Sequence, residues 1–315
     1  VKELISSLKK KKIFIHYLKA SEINKDQKNV NIILDIMLDK NFSREDCLIS
    51  IGGGITGDVS GFAASLFKRG LKFINIPTTL LAQVDSSIGG KTGVNTKYGK
   101  NLIGSFYQPN LVLADTFFLK TLPKREITCG YAEILKHSLI SNKIFFEYLN
   151  KNVKNILNLK SPYIEKAIFE SCKIKRDVVQ KDEKEANLRK ILNFGHTFAH
   201  AYEASMSYSK KLNHGEAVIL GIYSALKFSL NNKLMNLKNF NLIIEHFNKA
   251  KLSYDVKKHF SKIDTKKIIS YMQKDKKNSS NKINLVLLKK IGVVELKKKF
   301  SGKHIHLFIN KNLMN

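Results

Sequence analysis

A short apolar run, Cys47–Ile51 (CLISI), passes without interruption into GGGITGD at residues 52–58 and then into a stretch of small and apolar residues. Few arrangements accommodate that order. It reads as a buried strand, a tight glycine turn and a helix over about 58–67, the opening unit of a parallel α/β fold. Gly52, Gly54 and Gly57 fit G-x-G-x-x-G, whose glycines let backbone approach a pyrophosphate held at the positive end of a helix. Such turns also occur for packing alone, so their surroundings matter. The next strand, LKFINIP (71–77), ends in Pro77-Thr78-Thr79, where an ordinary dinucleotide unit carries an acidic residue for the adenosine ribose. Glu22 and Lys25, in the polar connection ASEINK, are the candidates for that contact.

Downstream lies VDSSIGGKTGVNTKYGKN (84–101), which places Asp85, Lys91, Lys100 and Asn101 among glycines at 89, 90, 93 and 99. Lysines and an amide on a glycine-rich loop suit a phosphorylated, oxygen-rich small molecule, since they supply charge and donors without hydrophobic bulk. A solvated surface loop is the plain alternative. Elsewhere in the first half, residues 2–9 read as the end of a helix, KIFIHYL (12–18) as a strand, and a helix follows to about Leu38 with Val30, Ile33, Leu34 and Met37 on one face. NLVLADT (110–116) reads as a last strand, closed by FLKTLP (118–123). From Lys124 onward helical spacing dominates, at 128–140, 144–157, 164–179, 194–204 and 215–230, until INLVLL (283–288). This predicts an α/β domain over 1–123, a helical domain over 124–315, and a site in the cleft between them.

The chain of 315 residues has the composition of a globular protein, with 43% hydrophobic and 26% charged residues. Its formal net charge of +29 raises the question of nucleic acid. The excess is almost entirely lysine, because arginine occurs only at 44, 69, 125, 176 and 189. It is spread along the chain without a recognition helix or a Cys/His finger, so nucleic acid is not expected as a partner. Cys47, Cys129 and Cys172 are far apart and form no CxxC, no apolar run approaches membrane-span length, and the first residues lack a signal-peptide core. Neither a membrane association nor a disulfide framework is expected, and a reducing cytoplasm fits best.

The helical half contains Glu133, His137, His196, His200 and His214. His196 and His200 share a helical face, and His214 opens the next helical segment. A carboxylate with two imidazoles is a catalytic zinc set, leaving a coordination position for substrate or water. Spacing alone leaves open which two of the three histidines bind, and single histidines on helices are more often solvated or core-satisfied. Lys136, one turn after Glu133, and Lys175, Arg189, Asn193, Lys276 and Lys277 are further basic or polar candidates, each of which alone reads as a solvated face.

Taken together, GGGITGDVSGFAAS, RGLKFINIPTTLLAQVDSSIGGKTGVN, GKNLIGSFYQP, TLPKREITCGYAEILKH, DEKEANLRKILNFGHTFAHAYE, LNHGEAV and DKK resemble 3-dehydroquinate synthase, of the sugar-phosphate cyclase superfamily, over about residues 1–290. The resemblance implies an α/β N-terminal NAD-binding domain, Rossmann-like but lacking its first portion, followed by a mostly α-helical C-terminal domain that binds metal and substrate, in a homodimer. It implies zinc, with cobalt as a substitute, on Glu133, His196 and His214. It implies NAD against Gly54, Ile55, Thr56, Gly57 and Asp58, Thr78 and Thr79, Glu22 and Lys25, Lys91, Lys100, and Phe118, Leu119, Lys120 and Thr121. Substrate contacts fall on Asp85, Lys91, Asn101, Lys136, Lys175, Arg189, Asn193, His200 and Lys276, with Arg69 reaching the phosphate from the partner subunit. The implied lyase reaction converts 3-deoxy-D-arabino-heptulosonate 7-phosphate to 3-dehydroquinate and phosphate, by transient NAD oxidation, phosphate elimination, re-reduction, ring opening and aldol closure. Two departures stand out: a portion of the family's first domain precedes the position matching Val1, and the family's Asp-Gly-Glu turn reads Ala20-Ser21-Glu22 here. Another cyclase or a metal-dependent alcohol dehydrogenase of the same superfamily, or an inactive remnant, are the rival readings.

Overall fold

The computed structural model describes residues 6–7, 11–209, 211–274 and 282–314. The expected helix end at 2–9 and the candidates Lys276 and Lys277 therefore lie wholly or mostly outside the described residues.

The N-terminal half is built on a three-stranded parallel sheet in the order β1 (Cys47–Gly52), β2 (Lys72–Pro77), β5 (Leu111–Val112), with β1 and β2 in register from Cys47 against Lys72 to Gly52 against Pro77. Helix α2 (Gly54–Leu66) packs on it, and helix α1 (Gln27–Asp39) packs on α2. Their apolar residues Val30, Ile33, Val59 and Phe62 meet Leu71 and Phe73 in one buried cluster. Parallel strands need covering helices, and these supply that cover.

Several expectations are corrected here. Helix α2 begins at Gly54, inside the glycine motif and earlier than residue 58. The segment 84–101 is not a loop: after a wide helical turn, Ala82–Ser86, it enters an antiparallel hairpin of β3 (Lys91–Thr96) and β4 (Gly99–Phe106). Polar and glycine residues hid the strands, and Gly93 opposite Gly104 lets their backbones approach where a Cβ on either would strike the other strand. Residues 12–18 form no strand. Ile15 and Tyr17 are exposed there, and β-prone side chains without a ladder partner do not hold an extended chain. Only Leu111–Val112 of the 110–116 segment is strand, and 118–123 is mostly a helical turn, Thr116–Thr121.

The second half is helical around a larger core. Its centre is helix α3 (Lys124–Ser141), in which every residue from Cys129 to Ile140 is buried. Helices α4 (Lys143–Leu157), α5 (Tyr163–Lys181), α6 (His196–Ser205) and α7 (His214–Asn231) surround it, followed by α8 (Leu237–Lys249) and α9 (Thr265–Lys274). A hairpin of β6 (Lys282–Lys290) and β7 (Val293–Ser301) and a short helix α10 (Gly302–Phe308) complete it. The second strand went unpredicted because ELKKKF carries its lysines in succession and masks the alternation.

Candidate active site

Helix α3 carries Glu133, Lys136 and His137 in an all-round buried segment, so each must be satisfied inside the protein. Helix α7 crosses α3 at Gly215, where a Cβ would lie 2.2 Å from the Cys129 Cα. A capping box fixes the start of α7, with Asn213 Oδ1 accepting from the Glu216 N–H and the Glu216 carboxylate accepting from the Asn213 N–H, both at 2.9 Å. Arg125 of α3 donates to that same Glu216 through Nε at 2.7 Å and Nη2 at 2.6 Å. His214, the first residue of α7, is thereby aimed at α3. Helix α6 starts from Gly195 in the left-handed conformation (φ 80°), pressed against Ile222 of α7, and presents His196 to the same point.

Three groups converge. His196 Nε2 and His214 Nε2 lie 3.5 Å and 3.7 Å from Glu133 Oε1, and one ligand atom from each residue falls within 4.8 Å of the others. Both Glu133 oxygens are fully buried without a well-formed hydrogen bond, although the Lys136 ammonium forms an ion pair with Oε2. An orphaned buried carboxylate facing two imidazole nitrogens is the donor set of a divalent cation such as zinc. His200 stands beside the trio, its ring 5.2 Å from that of His196 and 6.5 Å from that of His214. Burial lowers the His196 pKa well below the ordinary value, reinforced by Lys136. For His214 burial works the same way, but the Glu133 and Glu203 carboxylates outweigh it and push the imidazole up to about 10.

Asp85 links this trio to the N-terminal half. One of its oxygens falls within 4.8 Å of ligand atoms on Glu133 and His137, and it pairs with Lys175 of α5 at 2.5 Å. Burial opposes ionisation of Asp85, yet Lys175 holds its carboxyl well below the usual range. Next to it, Lys91 forms an ion pair with Glu185, Asn193 donates to the other Glu185 oxygen at 2.6 Å, and Arg189 donates to the Gly89 carbonyl at 3.0 Å.

A second group surrounds the glycine turn. The ends of β1 and β2 meet where the Thr78 N–H bonds the Gly52 carbonyl at 2.9 Å, and Gly53 caps α2 without a side chain. A Cβ on Gly53 would meet Thr79 Cγ2 at 3.3 Å, leaving the first turn of α2, with Ile55, Thr56 and Gly57, without an intervening side chain. That cradle, at the carboxyl ends of parallel strands, fits a pyrophosphate. Lys25 is buried, ion-paired to Asp58 and bonded to Asn101 Oδ1 at 2.6 Å. Glu22 takes Asn95 at 2.9 Å and Lys100 at 3.4 Å. Lys100 also lies over the Tyr208 ring, 4.2 Å from its centroid, tying the hairpin to the end of α6.

The turn Thr116–Thr121 is anchored nearby, since Gln83 donates to both the Pro77 and Asp115 carbonyls, but the Leu119 side chain is in the core and only its backbone can face a ligand. Arg69 is not brought to the site. It follows α2 at the end opposite Gly54, ~20 Å away along the helix. Two participants escaped sequence reasoning. Glu185 sits in the DEKEANLRK block without a role assigned, and Glu203 shares the helical face of His196 and His200 at the i, i+4, i+7 spacing that could have marked it.

The 3-dehydroquinate synthase N-terminal family model matches residues 15–129, and the C-terminal one matches residues 130–278. The chain belongs to the 3-dehydroquinate synthase family. A curated 3-dehydroquinate synthase of Pelagibacter ubique (strain HTCC1062) is 65% identical over 313 residues, covering 99% of this chain and 85% of that protein. The one of Bartonella quintana (strain Toulouse) is 43% identical over 298 residues, covering 94% and 79%. Among solved structures, a 2-deoxy-scyllo-inosose synthase complexed with carbaglucose-6-phosphate, NAD+ and Co2+ superposes with a TM-score of 0.85 at 28% identity, covering 94% of this chain and 82% of that one. The 3-dehydroquinate synthase family thus accounts for both halves of the chain, and with it for the synthesis of 3-dehydroquinate.

Proposed function

We propose that the chain converts 3-deoxy-D-arabino-heptulosonate 7-phosphate to 3-dehydroquinate and phosphate, as a phosphate-eliminating lyase, with zinc on Glu133, His196 and His214 and NAD on the glycine turn. The observation that carries the metal assignment is the buried Glu133 carboxylate, whose Oε1 has no hydrogen-bond partner and faces two imidazole Nε2 atoms at 3.5 Å and 3.7 Å. When bound, NAD supplies a reversible hydride acceptor and zinc a Lewis acid for an alcohol oxygen.

The chain's own side chains supply the rest. Lys136 and Lys175 bring buried positive charge to where an oxyanion develops, and Asp85 keeps Lys175 oriented. Lys91, half-exposed, can exchange Glu185 for a phosphate, and Arg189 and Asn193 stand beside it to extend that anion pocket. Asn101, fixed by Lys25, couples the hairpin to the nucleotide side. His200, next to the metal trio, is placed to hold or move a proton at a ring nitrogen. The pair of Asp85 with Lys175 of α5, and Lys100 of the hairpin over the Tyr208 ring beyond α6, narrow the crevice and exclude water from it.

A homodimer in which Arg69 of one subunit completes the other's phosphate pocket accords with its distance from the site within one chain. Among the described residues no helix is long and apolar enough to cross a membrane, and the three cysteines are free, in keeping with a cytoplasmic enzyme. The boundary between the two domains is placed at Pro123, immediately before α3. The test is purified protein with zinc, NAD+ and the heptulosonate phosphate. Phosphate release without net NADH, lost on chelation and restored by zinc, is the expected result. Net NADH accumulation would transfer the chain to the alcohol dehydrogenase reading, and no turnover at all to that of an inactive remnant.

A further inference from the structure

The two imidazoles that face Glu133 are each oriented through their other ring nitrogen, and by different means. His196 Nδ1 lies 3.3 Å from the Phe194 carbonyl, a backbone group two residues away. His214 Nδ1 lies 3.3 Å from Glu203 Oε2, a side chain of α6. Glu203 is buried, and it sits three residues after His200 and seven after His196, on the face of α6 turned to α7. Since His214 belongs to α7, this contact spans the two helices that supply the metal-facing imidazoles.

We propose that Glu203 is a positioning residue for the metal centre: its carboxylate accepts the Nδ1–H of His214, fixes the tautomer that leaves Nε2 as the lone-pair donor, and holds the ring toward Glu133. A carboxylate behind a ligating imidazole also makes that imidazole a stronger donor. The proton stays on Nδ1, and binding of the cation displaces a proton carried on Nε2 to solvent. The backbone carbonyl behind His196 cannot be altered by substitution of its own side chain, so Glu203 is the point at which the sequence tunes this metal site. The inference rests on the metal assignment made above, and the following measurements separate the two.

Zinc affinity is measured by competition with a chromophoric chelator for the wild-type chain, Glu203→Ala and Glu203→Gln, alongside the rise in melting temperature that zinc produces. Wild-type protein is expected to bind zinc with a clear thermal shift; failure to do so overturns the metal assignment and this proposal with it. Glu203→Ala is expected to weaken zinc binding by roughly 10–100-fold. Glu203→Gln, whose amide carbonyl accepts the same N–H without the charge, is expected to recover part of that loss, which a purely structural role for the side chain would not produce. Wild-type-like zinc affinity in Glu203→Ala, with zinc bound by the wild type, overturns the role of Glu203 alone. Should Glu203→Ala not fold, Glu203→Gln decides: a several-fold weaker affinity supports the proposal and an unchanged one overturns it. The d–d spectrum of the cobalt-substituted forms supplies a readout independent of turnover, expected to differ between the wild type and Glu203→Ala.

Discussion

At the scale of single residues, the site is a set of buried charges that satisfy one another. Lys136 and Glu133 form an ion pair with 2% and 0% side-chain exposure, so removal of one partner strands the other without water. Lys136→Met is expected to destabilise the metal-stripped protein by about 3 kcal/mol or more, read from urea unfolding in the presence of chelator. Added zinc, by compensating the Glu133 charge, should shrink that difference; an equal loss with and without zinc would contradict the pairing. A second expectation concerns His246, away from the site, which takes Tyr131 at 2.9 Å and Asn150 at 3.2 Å on its two ring nitrogens. Burial, and to a lesser degree Lys249, lower its pKa to about 4. The unfolded chain therefore binds a proton between pH 6.5 and about 4 that the folded one refuses, and stability falls as pH drops through that window, by roughly 3 kcal/mol in all. Urea unfolding from pH 4.5 to 7 should give a shallower slope for His246→Gln by close to one proton; identical slopes would refute it. Residue types at the site were legible because chemistry restricts them: an acid and imidazoles for a cation, glycines for a cradle. Glu203 and Glu185 were not, since a carboxylate that acts by orienting a neighbour leaves no spacing signal without the fold.

Among elements, the close crossing of α7 over α3 decides whether the trio can form. Gly215 sits where any Cβ would press into the Cys129 backbone, and its own N–H bonds the Cys129 sulfur at 3.1 Å. Gly215→Ala must push the start of α7 outward, carrying His214 away from Glu133. The expected cost is about 1–3 kcal/mol of overpacking, seen by thermal unfolding, together with weakened zinc binding. Loss of stability with zinc affinity intact would mean that the helix ends move independently. Helix α4 was readable from its period because it has one apolar face, whereas α8, whose face is as clear, was not read from the sequence. Strands fared worse. KIFIHYL has the composition of a strand but no ladder, whereas the hairpin 91–106 has a ladder under a composition of glycine, lysine and asparagine. Pairing lies in tertiary contacts that propensity does not encode.

For the molecule as a whole, the net charge of +29 imposes self-repulsion on the folded state. Screening at physiological ionic strength shortens the reach of those charges to about 8 Å. Melting temperature is expected to rise between 10 mM and 150 mM sodium chloride, measured by calorimetry or circular dichroism; a flat or falling profile would show that the lysines are already compensated. The two-part organisation was readable from the change in pattern after Pro123. Leu80, Val84 and Leu119 of the first part join the larger apolar core. That polar side chains would also stitch the parts was not readable, because Lys175 with Asp85, Lys91 with Glu185 and Gln108 with Glu183 lie 75 to 94 positions apart in the chain.

Lys25, Lys136 and Lys175 are enclosed, while most lysines of the chain stand in water. Swapping the outer ones, Lys91 and Lys100 apart, for arginine or glutamine would alter little beyond solubility and colloidal behaviour. At the three enclosed positions even arginine fails, its broad planar head being too large for pockets shaped around an ammonium. A composition saturated in one amino acid therefore conceals two populations under different rules, and chemical labelling of amines on the native protein would sort them by rate, leaving these three for last.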